Sequence, residues 1–316
     1  MHFPITTFAV VTVAWLAAAT AHPAFSADTR SIADFDVTEV APGNYVHYGS
    51  FDERSPDNLG DNANIGFIVG EKCVLAVDTG GSLPVGRALR QAIRRVTPLP
   101  VCYVVLTHVH PDHFFGAAAL RDDHPQFIAH ENYPAQLAAR SRSYANSLQR
   151  DLGAASEGSE IVRPTLLVRQ RLELDLGGRT VLVQAWPPAH TDDDLTVFDT
   201  PTRTLWLSDL LFVGHTPVID GTITGFLAVM KELRVIAADH YVPGHGRSDL
   251  AWPKPLDAQQ RYFAAILNET RAAIRNRKTI QQATDEVGLS EAGKWAAFDR
   301  FHRRNVTAAY AELEWE

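Results

Sequence analysis

Val104–Gly116 reads VVLTHVHPDHFFG, an apolar run that opens onto His108, His110, Asp112 and His113 within six residues. A short, continuous apolar run of this kind is expected of a buried strand. The cluster therefore sits where a strand ends and a loop begins, the place where open α/β sheets gather their sites. Three histidines so close repel one another once protonated. A metal ion bound by neutral imidazole removes that conflict.

Outward from this stretch, strand and helix signals alternate. Val85–Val96 carries apolar residues at helical spacing, and VLAVDTGG precedes it, so strand, helix, strand suggests a parallel crossover. Upstream, NYVHYGSF and NIGFIVGEKCVLAVDTGG read as strands joined by a polar loop at Asp52–Asn62. Downstream, His113–Leu120 reads as the start of a helix and Tyr133–Leu152 as another. Thr165–Trp186 alternates around Gly177-Gly178 as one hairpin. LTVFDTPTRTLWLSDLLF gives two strands about a Thr-Pro turn, and HYVPGHG ends a further one. Asp257–Asp285 and Lys294–Leu313 read as helical. No internal repeat is visible, and the pattern suits a layered α/β domain with helices covering two sheets.

The 316 residues are 46% hydrophobic and 21% charged, ordinary for a globular chain. The net charge of -8, with no long run of one sign, argues against a basic nucleic-acid footprint. The first 27 residues hold no Lys, Arg, Asp or Glu, and Thr7–Ala19 is an apolar run of signal-peptide length. Ala24-Phe25-Ser26 and Ala19-Thr20-Ala21 are candidate cleavage sites. The expected organisation is a signal at 1–27, a catalytic domain at 28–250 and a C-terminal helical segment at 251–316. The expected location is periplasmic or secreted, with no stable membrane insertion after signal removal. Export permits a disulfide between Cys73 and Cys102, but two buried thiols fit the sequence equally well.

Other strand ends supply further ligand-type residues: His190 in PPAHTDDD, Asp209 in LWLSDLLF and His245 in YVPGHG. The glycines around His245 let the backbone come close. Five histidines and two aspartates exceed the needs of one four-coordinate zinc and suit two. His108, His110 and His190 would hold the first ion. Asp112, His113 and His245 would hold the second, and Asp209 would bridge them. A shared water or hydroxide would complete the site. The ligands are all N/O donors, so iron or manganese would compete with zinc. His215 is a candidate pocket residue, donating a proton or binding substrate. His47, His124, His130, His240 and His302 have no partner motif and read as structural or surface residues.

These motifs, in this order over roughly Phe35–Arg247, resemble the metallo-β-lactamase superfamily. The resemblance implies an αββα sandwich with metals at one edge. It also implies a role for Asp78, in VDTGG, in steadying the metal loop. The commonest zinc β-lactamases carry cysteine where this chain has Asp209, which makes the site look like glyoxalase II and other broad hydrolases. PAHTDDDL lacks the common glycine before His190. FVGHTPVIDGTITGFL and DTGGSLPVGRALRQAI are similar to the quinoprotein relay system zinc metallohydrolase group. The function so implied is an exported dinuclear zinc hydrolase. It would turn a metal-bridging hydroxide, oriented by Asp112, on a small ester, thioester or lactone-like substrate, in connection with a quinoprotein dehydrogenase system. Two alternatives are a periplasmic metallo-β-lactamase and a non-catalytic, metal-bearing binding protein for a quinone cofactor or partner. The pocket is expected to be walled by Asp52–Asn62 and Thr216–Leu227. The basic residues of the tail, including Arg271, Arg275, Arg277 and Lys278, are expected to form a solvated face.

Overall fold

In the computed structural model, which describes Met1, His2 and residues 35–316, the Val101–Val105 run is a strand inside a seven-stranded sheet. In spatial order the sheet holds β1 (Thr38–Ala41), β2 (Asn44–His47), β3 (Ile65–Val69), β4 (Val74–Val77), β5 (Val101–Val105), β6 (Gln126–His130) and β7 (Leu166–Val168). Its first half is an antiparallel meander and β4 to β7 are parallel. Parallel neighbours need crossovers. Helix α1 (Leu83–Val96) links β4 to β5, the short α2 (Pro111–Phe114) lies between β5 and β6, and α3 (Tyr133–Leu152) links β6 to β7. The α1 start is encoded locally. The Ser82 side chain accepts the Val85 N–H, a proline occupies the first turn, and Leu83, Val85, Leu89, Ala92 and Ile93 form the buried face.

The second sheet has the order β12-β11-β10-β9-β8. Its strands are β8 (Arg171–Asp175), β9 (Thr180–Ala185), β10 (Leu195–Asp199), β11 (Thr204–Phe212) and β12 (His240–His245). Pro243 is tolerated because β12 is an edge strand. Helix α4 (Ile223–Arg234) carries the chain from β11 to the parallel β12. Helices α5 (Leu256–Arg275), α6 (Ile280–Glu286) and α7 (Phe298–Leu313) follow.

Three apolar layers make this an αββα sandwich. Val46, Ile68, Leu75, Val105 and Ile128 of the first sheet meet Val181, Val183, Leu195, Val197 and Trp206 of the second. On the outer face of the first sheet, Phe67, Val104 and Phe127 pack with Leu89, Ile93, Tyr133 and Leu148 of α1 and α3. On the outer face of the second, Leu205, Leu207 and Leu211 pack with Phe226, Met230, Phe263, Ile266, Val306 and Ala309 of α4, α5 and α7.

Several sequence expectations need correcting. Thr165–Trp186 is not one hairpin: Leu166–Val168 pairs in parallel with β6, and only Arg171–Ala185 forms the hairpin. The chain changes sheets at the polar Arg169-Gln170 step. The helix expected from His113 is only four residues of α2 followed by a 3-10 turn at Ala117–Asp123. It is interrupted at Gly116, where a methyl would overlap the Thr79 carbonyl. Asp257–Asp285 splits into α5 and α6, the second opened by a Thr279–Gln282 capping box. α7 starts at Phe298 rather than Lys294, after Ala297 in the left-handed region. Cys73 and Cys102 are bonded, which decides between the two readings left open above: β4 and β5 are neighbours, and the Cα atoms lie 5.7 Å apart. The expected export signal lies outside the described residues. Among those described, no helix is long and apolar enough to cross a membrane.

Candidate metal centre

The seven ligand-type residues come from four chain segments and converge at one edge of the sandwich. His108, His110, Asp112 and His113 follow β5, His190 lies between β9 and β10, Asp209 is within β11, and His245 ends β12. Their ligand atoms form two groups, His108–His110–His190–Asp209 and Asp112–His113–His245. Asp209 faces both. Its Oδ2 lies 3.2 Å from His190 Nε2 and 3.7 Å from His108 Nε2. Its Oδ1 lies 3.3 Å from His113 Nε2 and 3.4 Å from His245 Nε2. Asp112 Oδ2 completes the second group, 3.5 Å from His245 Nε2 and 3.9 Å from His113 Nε2.

The far nitrogens of three rings are committed to oxygen acceptors. His190 Nδ1 donates to the Val218 carbonyl at 2.8 Å. His110 Nε2 faces Asp220 Oδ2 at 3.1 Å, and His113 Nδ1 faces Asp78 Oδ2 at 2.8 Å. The near nitrogens then point inward. His110 Nδ1 and His190 Nε2 are 2.8 Å apart, so in the neutral rings two lone pairs confront each other. His108 Nε2, His113 Nε2 and Asp209 Oδ1 are buried with no hydrogen-bond partner among the described residues. Buried polar atoms left unpaired are costly, and a cation at each group satisfies all of them at once. The residues present fit divalent metal.

The electrostatics agree. Burial pushes the Asp209 carboxyl up, but His245, His113, His190 and His108 together hold it well below the usual range. Burial lowers His190 while Asp209 raises it further, to about 9. A proton therefore competes with metal for the same lone pair, and binding would release it.

Beneath the ligands lies a set of groups of which the sequence identified only Asp78. Asp78 Oδ1 accepts the Thr107 N–H at 2.8 Å, and its Oδ2 accepts the Thr107 hydroxyl at 2.8 Å and the Ser208 hydroxyl at 3.2 Å. Asp78 and Ser208 both sit at positive φ, 57° and 46°, strain that the surrounding packing sustains. At Ser208 the β11–β12 register shifts, next to Asp209. Gly244 is required here: a methyl on it would overlap Asp209 Oδ1. Asp220 was missed altogether. It lies in VIDG, inside a stretch read for its family resemblance and as a pocket wall but not for ligand support, yet it holds His110 and is itself met by Arg140 and Arg304.

The centre opens into a cleft of about 950 Å³. Asp52, Glu53, Arg54 and Asn62 line it, as expected of their loop. From Thr216–Leu227 only Val218 does so. The larger wall is Ala292–Arg304, including Phe298, Arg300 and Phe301. Arg271, Arg275, Arg277 and Lys278 lie outside this wall and are exposed or half-buried, as expected, but Arg300 and Arg304 of the same tail line the cleft. His215 also lines the cleft, its ring 5.3 Å from those of His245 and Phe301. Its Nδ1 lies 2.9 Å from the Thr216 carbonyl, which only accepts, so the proton sits on Nδ1. Burial first, and then His245, lower its pKa to about 4. Near neutral pH the ring offers the cleft an acceptor at Nε2, which suits substrate binding better than proton donation, the two roles read for it from the sequence. His47 and His302 are structural, bonded to Asp61 and to the Val287 carbonyl.

A family model described as Metallo-beta-lactamase superfamily matches residues 59–284. A linear primary-alkylsulfatase from Pseudomonas sp. is 26% identical over 237 residues, 64% of this chain and 43% of the relative. Among solved structures, a stereoselective inverting sec-alkylsulfatase from Pseudomonas sp. superposes with TM-score 0.68 at 16% identity, covering 88% of this chain and 50% of that one. A beta-lactamase domain protein from Burkholderia ambifaria gives TM-score 0.62 at 18% identity, covering 90% of each chain. The chain spans about half the length of the two alkylsulfatases, and the structural likenesses speak to the fold. With a family match over most of its length, on this fold, the chain belongs to the metallo-beta-lactamase superfamily.

Proposed function

We propose that the chain is a dinuclear metal hydrolase acting on an ester, thioester or lactone-like substrate. The observation that carries this reading is the division of Asp209, with Oδ2 turned to His108 and His190 and Oδ1 to His113 and His245. Two divalent ions held by these groups, zinc first among the candidates, would supply water ionised near neutrality and a Lewis acid for the substrate oxygen.

The chain's own groups do the rest. Burial raises the Asp112 carboxyl, but His113 and His245 lower it further, so it is ionised. Its Oδ2 is turned to those histidines, leaving Oδ1 to orient the attacking water and take its proton. The same atom can return that proton to the leaving oxygen. His215 Nε2 accepts a hydrogen bond from substrate or water beside His245. The aromatic rings of Phe212, Phe298 and Phe301 limit water around the reacting centre.

The alkylsulfatase names of two relatives place sulfate esters first among the esters to try. Export, read from the uncharged, apolar N-terminal stretch, and service to a quinoprotein dehydrogenase system, read from resemblance, belong to the same reading. The experiment is a hydrolysis panel on the zinc-loaded protein: alkyl sulfates, carboxylic esters, thioesters, lactones and a chromogenic cephalosporin, each with Asp112→Asn as control. Turnover of one ester class, lost in the control, supports the proposal. No turnover of any class by protein carrying two ions per chain would sink it.

A further inference from the structure

Helix α7 lies outside the stretch matched by the family model, yet its first turns reach the ligand cluster. Arg304 Nη2 is 3.0 Å from Asp220 Oδ1. The other oxygen of that carboxylate, Oδ2, is 3.1 Å from His110 Nε2. His110 Nδ1 in turn faces His190 Nε2. Arg304, Asp220 and His110 thus form an unbroken series of polar contacts from a partly exposed helix to a candidate ligand.

The carboxylate needs that second hold. The terminal torsion of an aspartate is broad, so a partner on one oxygen leaves the plane free to turn. The Asp220 backbone is fixed by its N–H on the His190 carbonyl at 2.8 Å. Arg140 Nη2 reaches Oδ2 only at 3.4 Å and shares that oxygen with His110. Among the described residues, Arg304 is the side chain that engages Oδ1. With Oδ1 held, Oδ2 stays aimed at His110 Nε2. The His110 proton is then committed to Nε2 and its Nδ1 lone pair to an ion.

We infer that Arg304 is a positioning residue for the His108–His110–His190–Asp209 half of the centre, acting through Asp220. The inference rests on the metal reading above, but it adds an asymmetry which that reading does not contain. Arg304 serves one half through Asp220, and among the described residues it makes no hydrogen bond to Asp112, His113 or His245. An arginine that merely pinned α7 would change stability and leave metal affinity alone.

The test is zinc titration of the full chain against a chromophoric chelator. Wild type should show two binding steps, and His245→Ala identifies the step that belongs to the second half. Asp220→Asn should weaken the first-half step by about 10–100-fold, the usual effect of losing a ligand's hydrogen-bond partner. Arg304→Met, one contact further out, should weaken the same step by roughly threefold to tenfold and spare the other. Arg304→Lys should fall between, since an ammonium keeps the charge but not the fork. Melting of the metal-free proteins reports fold separately. If Arg304→Met does not fold, Arg304→Lys is held to the same criterion. Two unchanged steps in a folded variant overturn the inference and leave the metal reading standing. A wild type that binds no zinc overturns both.

Discussion

Asp78 Oδ2 lies 2.8 Å from His113 Nδ1, which ties the end of β4 to a ligand-type ring of the second group. The same carboxylate accepts from Thr107 and Ser208. Asp78→Asn keeps the shape but turns an N–H towards a group that is itself a donor. Zinc affinity of the second half should fall about 10–100-fold. Stability of the metal-free protein should fall by about 1–3 kcal/mol, the cost of an unpaired buried donor. Chelator titration and urea unfolding measure the two effects. An unchanged titration would remove Asp78 from the centre.

The contrast between Asp78 and Asp220 shows what was legible in the sequence. Asp78 could be read because VDTGG ends an apolar run and resembles a family motif. The seven ligand-type residues were readable for a related reason, since four follow one strand-like run within six residues, His190 and His245 close others, and Asp209, expected at a strand end, stands out as an acid inside the apolar run of β11. Asp220 sits in a stretch that carried a resemblance but no ligand-type pattern, and its partner Arg304 lies 84 residues further on. No periodicity links such a pair, so only tertiary packing brings them together. The two sheets were likewise visible as strands, but the placement of Leu166–Val168 was not. Alternation along a strand does not say which neighbour it pairs with.

The Cys73–Cys102 bond closes a separation of 29 residues across β4 and β5. Loop-closure entropy puts its contribution at about 3–4 kcal/mol. Cys73 precedes β4 and Cys102 lies near the start of β5, whereas the ligands follow the strand's far end. Cys73→Ala with Cys102→Ala should therefore lower the urea midpoint by that equivalent and leave zinc affinity within about twofold, the scatter expected of a distant site. A loss of metal binding at full folding would show that the bond shapes the loop.

Glu291, beside the cleft wall, gives a pH signature away from the metal. Burial raises its carboxyl, but hydrogen bonds from Arg261, Lys294 and Trp295 outweigh burial and hold it at about 2, against an ordinary value of 4.5. A carboxylate depressed in the folded state contributes its stability in full above the unfolded value. That contribution is lost as pH falls from there through about 2. Between those limits the unfolded chain binds more protons, so stability should rise with pH. Glu291→Gln should flatten this acid limb in unfolding curves of the metal-free protein, and should also be less stable near neutral pH. An acid limb identical to wild type would assign the pH dependence to other carboxylates.

Gly244→Ala tests the close approach that lets Asp209 serve two groups. A methyl there would overlap Asp209 Oδ1 and crowd the Ser208 carbonyl carbon. Overpacking of this kind costs about 1–3 kcal/mol. The consequence specific to this site is that both zinc steps should weaken together, because one displaced carboxylate faces both histidine pairs. Gly153→Ala is the control. Unlike Gly244 it sits at positive φ, 54°, and a methyl there meets nothing within 4 Å. That variant should lose only the strain of a side chain at this glycine-favouring backbone conformation, about 1–3 kcal/mol, and keep its zinc titration. Should Gly244→Ala weaken one step and spare the other, Asp209 would belong to a single ion, and the shared-carboxylate geometry would have to be abandoned.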